Sequence, residues 1–532
     1  MNLEKQGISA MSVTDQPIIT EHDIHIVFPF FFSITPKNQA IVDKQYIKIR
    51  DHTKLDCLLD LLPYNLRQKK LLHNKKNEAV WKKSKLTLDL KLDTAVKNTL
   101  DDSFCFETNK IFKKAVPHGY PSLVLSQATL DVLNHESRGI MQGLDVKLSK
   151  SACKRLSNNG DACPDNLPWV NFIIKEVRLF MLGTGVGGVS IKVSMKNISS
   201  THYLQETLYQ LSRNNISNKK VNPVRWHSNS NESESESFRF IDIISSILPF
   251  LQDPIAKKQS SLFKIDSSYW DKAFCYTAIK LDKPFNTTSQ KEDFIVKISK
   301  KFTDAYLPRN AIMESSIYKP FDYISHAVSL EGGSILIEPS SPSCESPHAL
   351  DAFIKNNVKS CYYPITLMAY FEYIALLRLS ENGMKKINFH HPSAHDLMHL
   401  NTFKSNVYNF RLNYRFSHIS NNTMHNAIYK KWRESLLSKD ILEDISNDAS
   451  DVTNFVDSIR KDKIASELKI IEKIIVYFGG ISLIKEMTGF NIYEKVLKSD
   501  FIKISENAQS FAPISLFTLL SLFVLLRILL KK

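Results

Sequence analysis

The chain has 532 residues, a mass of 61.0 kDa and a formal net charge of +14 at pH 7. This length accommodates about two to four domains with large hydrophobic cores. Its seven cysteines are odd in number and lack C-x-x-C spacing, which argues against a disulfide framework and a structural zinc cluster. No charged leader followed by an apolar run opens the chain, so we expect no secretion and place the bulk of the chain in the cytosol.

Basic residues concentrate between positions 67 and 85, where Glu78 is the only acidic residue. Such a run attracts the phosphates of nucleotides, nucleic acids or anionic lipids, and the alternative is a solvated loop or helix face. The chain has no zinc-finger or RNP pattern, so we do not predict sequence-specific nucleic-acid recognition. The ligand-binding candidates in this run are Lys69, Lys70, Lys75 and Lys76.

The first part of the chain has the composition of strands and loops. Residues 24–28 are rich in β-branched and apolar side chains, and after Pro29 three phenylalanines continue the run. Residues 86–92 alternate apolar and polar side chains, which is the period of a half-buried strand. We therefore predict strands in both places.

Two β-type runs, 177–182 and 189–195, flank a glycine-rich connection and predict a hairpin. The connection matches G-x-G-x-x-G, but a dinucleotide site needs a helix N-terminus directly afterwards, and here a strand returns. Clustered glycines indicate positive φ or the close approach of another group. We interpret the connection as a tight turn, with a ligand-contacting loop as the alternative, in which the candidates are Gly183, Thr184, Gly185, Gly187 and Gly188.

A polar low-complexity tract, 228–237, predicts an exposed loop that separates an N-terminal strand-rich part, 1–227, from a second part, 238–360. Within the second part, two β-type runs around Glu331-Gly332-Gly333 predict another hairpin.

Helical periodicity dominates the predicted domain 361–509. Pro364 is placed to open one helix, Ser420 to cap a helix that runs through Trp432, and a further long helix is predicted from about Ser450. Between 452 and 478 apolar residues recur at steps of mostly three and four, with one step of five. This spacing indicates a coiled coil with a slip, and the alternative is an amphipathic helix that packs on its own domain.

His395 and His399 lie four residues apart, on one face of a helix if Pro392 begins it, and this spacing can share one metal ion. The alternative is a solvated histidine-rich helix start. The H-E-x-x-H glutamate is absent, as are a G-x-S-x-G elbow, a P-loop and a kinase motif set. We therefore predict that the protein is not an enzyme and has no catalytic residue, and the sequence leaves its cofactors unknown.

The C-terminal segment, 510–532, is the most apolar part of the chain. About 20 apolar helical residues cross a bilayer, and 511–530 has that length, with Arg527 near one end. We predict a transmembrane helix in the inner (cytoplasmic) membrane, whose membrane-contacting residues include Phe511, Leu516, Phe517, Leu520, Phe523, Leu526 and Arg527. A buried C-terminal helix is the alternative, and a double crossing that includes 474–484 competes with the single crossing.

The predicted fold class is α+β, with an N-terminal mixed α/β cytosolic domain, a C-terminal bundle or stalk of long helices, and a C-terminal transmembrane helix. This order, with the runs at 174–195, 328–339 and 410–436 and the apolar end, resembles CorA-like membrane proteins of bacterial antiviral defence, including those associated with type III CRISPR systems. The Gly-Met-Asn motif of CorA channels is absent, and Gly489-Phe490-Asn491 is its nearest counterpart.

The resemblance implies a membrane-anchored homo-oligomeric effector, in which recognition of a nucleotide signal or protein partner changes the permeability of the lipid membrane to ions. The alternative is a tail-anchored scaffold or interaction protein without pore activity. A third hypothesis is a membrane-tethered enzyme that uses the 67–85 basic run on nucleotides or nucleic acid.

Overall fold

The computed structural model of this protein places a large β-sheet between two sets of helices. It describes residues 16–32, 36–52, 79–84, 86, 88–89, 91–100, 120–134, 136–137, 140–158, 169–196, 198, 200–213, 224–227, 237–248, 251, 263–265, 267–303, 305–306, 315–339, 350, 352–384 and 394–488.

The strands in these ranges are β1 (Ile19–Phe32), β2 (Trp81–Lys83), β3 (Leu123–Leu125), β4 (Glu136–Ser137), β5 (Ile140–Met141), β6 (Leu144–Lys147), β7 (Trp169–Met181), β8 (Val186–Met195), β9 (Val224–Trp226), β10 (Ser237–Phe238), β11 (Phe263–Lys264), β12 (Phe274–Leu281), β13 (Ile317–Phe321), β14 (Ile324–Val328) and β15 (Gly332–Ile337). Among these described strands, β4 and β5 pair with each other and the other thirteen form one sheet.

The helices in the described ranges are α1 (Pro36–His52), α2 (Thr94–Leu100), α3 (Gln127–Leu133), α4 (Lys150–Asn158), α5 (Thr201–Leu211), α6 (Phe240–Ile247), α7 (Ser267–Asp271), α8 (Thr288–Lys300), a π-helix (Ile354–Tyr362), α9 (Tyr363–Met384), α10 (Ala394–Asn413), α11 (Thr423–Ser435) and α12 (Ser438–Thr488). The π-helix continues directly into α9.

Strand β1 lies in the middle of the sheet, whose main order is β10-β9-β6-β7-β8-β1-β12-β15-β14-β13. It pairs antiparallel with β8 on one side and with β12 on the other. Strands β12 and β15 pair in parallel, so the described sheet is mixed. Because β1 has neighbours on both edges and packed layers on both faces, its residues from Ile24 to Phe30 are all buried.

Alternate side chains of each central strand enter different cores, as the period of two requires. Ile26 and Phe28 of β1 join a core with residues of α4, α5, α6 and α8. Val27, between them, joins a second core with residues of the π-helix, α9, α10 and α11. The sheet therefore separates a helical layer contributed largely by the middle of the chain from one contributed largely by residues 350–445.

Two sheet glycines make room for aromatic side chains of the second helical layer. A Cβ on Gly188 would lie 2.6 Å from the Phe371 ring of α9, and a Cβ on Gly333 would lie 2.4 Å from the Trp432 ring of α11. These contacts fix where α9 and α11 lie on the sheet.

Both predicted hairpins are confirmed. β7 and β8 pair antiparallel around the glycine-rich connection, and β14 and β15 pair antiparallel around Glu331. The strand predicted at 24–28 is also confirmed, and it continues through Pro29 to Phe32. The mixed sheet and the helical later part agree with the α+β class at this level of detail.

The strand predicted at 86–92 is wrong for the residues that the structure describes there. Leu92 makes an isolated bridge with Ser420, and the amide of Asp89 bonds the carbonyl of Ser360. Alternation alone does not supply a neighbouring strand, and these residues bond instead to segments near Ser360 and Ser420 that lie far away in the sequence.

Three predicted helix starts need correction. The π-helix precedes Pro364, so this proline lies inside a helical run rather than at its first position. Asn422, not Ser420, caps α11, because its side chain accepts from the amide of Met424 at 2.9 Å. The last long helix begins at Ser438 rather than near Ser450.

The chain divides into two compact units, residues 1–450 and residues 451–532, and the boundary falls within α12. Across the described helices, none combines the length and the apolar composition needed to cross a membrane. The predicted segment 511–530 lies outside the described residues, and so do all seven membrane-contacting candidates.

Candidate functional site

The junction of the π-helix and α9 places three consecutive polar residues, Cys361, Tyr362 and Tyr363, between the sheet and the second helical layer. All three are buried, and each contacts a histidine from a different element. π-Helical turns are rare and often occur at functional sites. The contacts are Cys361 with His425, Tyr362 with His326, and Tyr363 with His25.

Tyr363 belongs to a cluster on β1 and β8. Its ring stacks on His25 at 3.7 Å between centroids, and its hydroxyl hydrogen-bonds Ser190. Asp23 accepts from Lys192 Nζ at 2.6 Å and lies 3.3 Å from His25 Nε2. Burial raises the pKa of Asp23, but His25 and Lys192 outweigh burial, so this pKa lies below its ordinary value. The carboxylate is therefore ionised inside the fold.

Several buried polar atoms of this layer have no hydrogen-bond partner among the described residues. They include Nδ1 of His25, the hydroxyl of Tyr276 directly opposite it on β12, and Nε2 of His326. Each such atom costs about 1–3 kcal/mol of folding free energy. A core selected for stability alone rarely keeps these groups, so the layer is our candidate functional site.

The second cluster combines Asp89, Cys361 and His425. Cys361 Sγ lies 3.1 Å from His425 Nε2, and Ser420 Oγ lies 2.8 Å from His425 Nδ1. A carboxylate oxygen of Asp89 completes a group whose ligand atoms all lie within 4.8 Å of one another. Cys361 and His425 are buried, whereas Asp89 is half-buried. A thiol, an imidazole and a carboxylate are the ligand types of a transition-metal site.

Burial raises the pKa of Cys361 above its ordinary value and lowers the pKa of His425 below its own. The two groups are therefore a neutral thiol and a neutral imidazole at pH 7. Cysteine hydrolases instead use a thiolate activated beside a histidine. The charge state of this pair does not support nucleophilic catalysis.

The predicted glycine-rich connection is a turn in which Gly185 has a φ of 78°. The Gly185 carbonyl accepts from the amide of Phe32 at 2.8 Å and from the guanidinium of Arg378 in α9. Burial lowers the pKa of Arg378 to about 10. Gly183 and Thr184 are half-buried at the turn. The Gly185 carbonyl is thus bonded by groups of this chain itself, and ligand contact at the turn stays a prediction.

The close approach expected from the glycine cluster has a structural counterpart in β8. A Cβ on Gly187 would lie 2.2 Å from the Phe30 ring, and the Phe371 ring covers Gly188. Both glycines therefore admit aromatic rings of the chain's own core.

Of the other predicted ligand and metal residues, only His399 has a described side chain. Lys69, Lys70, Lys75 and Lys76 lie outside the described residues. His399 is half-buried in α10, which begins at Ala394, and the side chain of His395 is outside the description. Within the described ranges, the three-ligand metal group contains neither His399 nor any other residue of α10.

Sequence reasoning missed Asp89, Cys361 and His425 as a group. Cys361 and His425 are 64 residues apart, and the three residues come from a loop, a π-helix and α11. No local spacing connects them, so only the packing of distant segments reveals the cluster.

We expect acid destabilisation through His326, whose full burial lowers its pKa to about 3. The rings of Tyr362 and Tyr318 face it from the π-helix and β13, and burial raises the pKa of both, so neither supplies a charge. An unfolded histidine takes up a proton below about pH 6.5, so the folded state loses stability as the pH falls from about 6.5 towards 3.

Between pH 6 and 4, the free energy of unfolding should fall less steeply in His326→Asn than in the wild type. The difference should be up to about 1.4 kcal/mol per pH unit. Urea midpoints and slopes at pH 7, 6, 5 and 4 measure the effect. Some acid sensitivity should remain, because burial also lowers the pKa of His22 and His425. If the free energy of unfolding falls equally steeply with pH in the wild type and in His326→Asn, the expectation is contradicted.

Compared with protein-family models, with curated proteins and with solved structures, the chain matches none of them.

Proposed function

We propose that this protein is a membrane-anchored effector that self-associates through α12 and couples recognition of a cytosolic signal to membrane permeability. The observation that carries the proposal is an exposed apolar row on this helix, formed by Ile464, Leu468, Ile471 and Ile475. Their side chains are between 46% and 65% exposed. The proposal assigns no catalytic residue.

The row has steps of four, three and four residues, which is the spacing of the core positions of a coiled coil. Such a row is self-complementary, because two copies side by side present the same residues to each other. We therefore assign a second copy of the chain as the occupant of this face. A second copy as the occupant agrees with the homo-oligomer that the sequence resemblance implies.

The C-terminal sequence supports the membrane part of the proposal. Residues 511–530 have the length and apolarity of a bilayer span, and Lys531 and Lys532 follow them. Bilayer lipid is then the partner of this segment, in the inner (cytoplasmic) membrane, with the rest of the chain in the cytosol. Helix α12 precedes residues 511–530, so the self-associating row and the proposed anchor lie in the same part of the sequence.

The first unit would receive the signal, which is a nucleotide or a protein partner. A signal changes permeability only if it binds two arrangements of the oligomer unequally. The buried layer around Cys361–Tyr363 keeps several polar groups without partners at a cost in stability, so it is where we expect such an arrangement to change.

We expect Leu468→Lys to weaken self-association at least tenfold. Each copy would lose the burial of one leucine, worth about 1.5–3 kcal/mol, and would gain a charge in the contact. Sedimentation velocity of the detergent-extracted full chain measures the effect. The control is Val476→Lys, which changes an apolar side chain that is 68% exposed but lies off the row.

The direction of pairing can be tested with Glu472, which flanks the row together with Glu467. In a parallel, in-register pair these positions of opposite copies come together, so like charges oppose association. Glu472→Lys should then strengthen association. Equal loss in Leu468→Lys and Val476→Lys would contradict the row as the contact.

Permeability is tested with dye or ion leakage from liposomes that carry the full chain, and with the same chain lacking residues 510–532. The proposal expects leakage that depends on this segment and falls in Leu468→Lys. If an unrelated membrane anchor in place of 510–532 preserves cellular function and no leakage occurs, the protein is a tail-anchored scaffold instead.

A further inference from the structure

We propose that Asp89, Cys361 and His425 form a zinc site that joins three distant parts of the chain. Their ligand atoms lie within 4.8 Å of one another. Thiolate, imidazole and carboxylate are the three ligand types that Zn²⁺ takes in proteins, and sulfur together with imidazole excludes Mg²⁺ and Ca²⁺ as the preferred ions. The inference does not depend on the membrane function proposed above.

The hydrogen bonds of Ser420 determine the tautomer of His425, and the ring nitrogen without a proton faces the thiol of Cys361. Ser420 Oγ lies 2.9 Å from the carbonyl of Lys91, which can only accept, so we assign the single hydroxyl proton to that bond. His425 Nδ1, at 2.8 Å, must then carry its own proton and donate it to Ser420 Oγ. Nε2 is left unprotonated and faces Cys361 Sγ.

This arrangement is the one that a metal-binding histidine requires. Ligating histidines usually donate their second ring nitrogen to an oxygen, which fixes the tautomer and the ring orientation. Ser420 Oγ supplies this oxygen, and it is itself held by the amide of Asn422 at 3.1 Å. The carboxylate of Asp89 is oriented in a similar way, because Asp89 Oδ1 accepts from the amide of Lys91 at 2.8 Å.

The distance between Cys361 Sγ and His425 Nε2 fits a zinc ion after a small movement. With Zn–S of about 2.3 Å and Zn–N of about 2.0–2.1 Å, tetrahedral geometry places sulfur and nitrogen about 3.6 Å apart. Cys361 Sγ and His425 Nε2 are now 3.1 Å apart. A rotation of the thiol that widens this separation by about half an ångström makes room for the ion. Loss of the thiol proton on binding completes the ligand set.

The site lies where three segments already hold one another by backbone hydrogen bonds. Asp89 N bonds Ser360 O, Asp93 N bonds Ile419 O, and Asn421 N bonds Lys91 O, at 2.9, 2.8 and 3.0 Å. A metal ion bound by residues of all three segments would fasten the π-helix and α11 to the loop that contains Asp89. Zinc binding should therefore stabilise the first unit.

Three protein ligands leave one position of a tetrahedral ion to water. Within the described ranges no fourth histidine, cysteine or carboxylate joins the group, and the half-buried Asp89 is its most exposed member. This coordination predicts that a small added ligand can reach the bound ion.

The test measures zinc per chain by elemental analysis of the full-length protein, purified without added metal and then equilibrated with Zn²⁺ and desalted. We expect one zinc per chain and an upward shift of the thermal midpoint on Zn²⁺ addition. Co²⁺ in place of Zn²⁺ should give a thiolate-to-metal charge-transfer band in the near ultraviolet. Cys361→Ala should abolish the band and weaken zinc binding at least about 100-fold.

Two further variants keep the test sound if Cys361→Ala does not fold. Ser420→Ala removes only the acceptor behind His425 and should weaken zinc binding about 10–100-fold. Asp89→Asn weakens a ligand at the half-buried edge of the site. Cys275→Ala, at a buried thiol of β12, is the matched control that should retain zinc and the band.

The histidine pair predicted from the sequence provides the competing explanation. In the double variant His395→Gln and His399→Gln, zinc binding and the cobalt band should be unchanged. Loss of zinc in that variant, retention of the band in Cys361→Ala, or a zinc content near zero in the wild type would each overturn the proposal. None of these readouts depends on membranes, so they are separate from the leakage assay.

Discussion

Gly332→Ala is expected to reduce the free energy of unfolding by about 3 kcal/mol or more, or to prevent folding. A Cβ at this position would lie 2.1 Å from the carbonyl oxygen of Cys275 in the neighbouring strand β12. The obstacle is backbone, so no side-chain rotation relieves it. Strands β12 and β15 would have to separate, and that would break their parallel pairing at the centre of the sheet.

The same substitution at Gly479 is the matched control, and it should have the opposite sign. Among the described residues, no atom lies within 4 Å of a Cβ built on Gly479 in α12, so we expect alanine to fit and to raise helix stability by up to about 1 kcal/mol. Urea unfolding followed by circular dichroism compares the two variants. Equal stabilities for Gly332→Ala and the wild type would show that β12 and β15 are not paired as described.

Glu372→Leu should reduce the free energy of unfolding by about 3–5 kcal/mol. Glu372 in α9 is buried, accepts from the Tyr429 hydroxyl at 2.5 Å and lies 3.1 Å from Arg433 Nε. Burial raises the pKa of Glu372, and Arg433 opposes that rise. Without the carboxylate, the largely buried guanidinium of Arg433 has lost its ionic partner in α9.

The double variant Glu372→Leu and Arg433→Met distinguishes the lost pair from lost packing. A buried ion pair replaced on both sides by apolar residues often costs little, so the double variant should be more stable than Glu372→Leu alone. Urea midpoints of the wild type, both single variants and the double variant form the cycle. Additive losses would show that the two residues do not interact and that α9 and α11 are joined by other contacts.

The zinc proposal and the Glu372→Leu prediction concern different contacts of α11. Trp432 packs at Gly333 of the sheet, Arg433 pairs with Glu372 of α9, and His425 lies beside Cys361. A helix held by three independent contacts should tolerate loss of the metal better than loss of its ion pair. Thermal midpoints of zinc-free wild type and of Glu372→Leu allow this comparison.

Local sequence patterns identified the two hairpins correctly because their partners are neighbours in the chain. The runs that became β7 and β8 are joined by a short glycine-rich turn, and β14 and β15 are joined by only three residues, 329–331. Apolar and β-branched residues at 24–28 likewise marked β1, which is buried on both faces. In these places local preference and tertiary contact agree.

Predictions failed where distant contacts decided the backbone. The alternation at 86–92 resembles a strand, but Leu92 and Asp89 bond to segments near Ser420 and Ser360. Ser420 was expected to cap α11, yet its hydroxyl bonds Lys91 and His425, and Asn422 caps the helix. A side chain that can bond several partners is assigned only once the fold brings them near.

By itself, the sequence determined the α+β character, the hairpins and the apolar spacing of α12, because periodicity and turn residues act over a few neighbouring positions. The tertiary structure alone decided which helix face meets which strand, the polar layer around Cys361–Tyr363, and the cluster of Asp89, Cys361 and His425. Such clusters depend on the packing of segments hundreds of residues apart, and no short-range pattern records that packing.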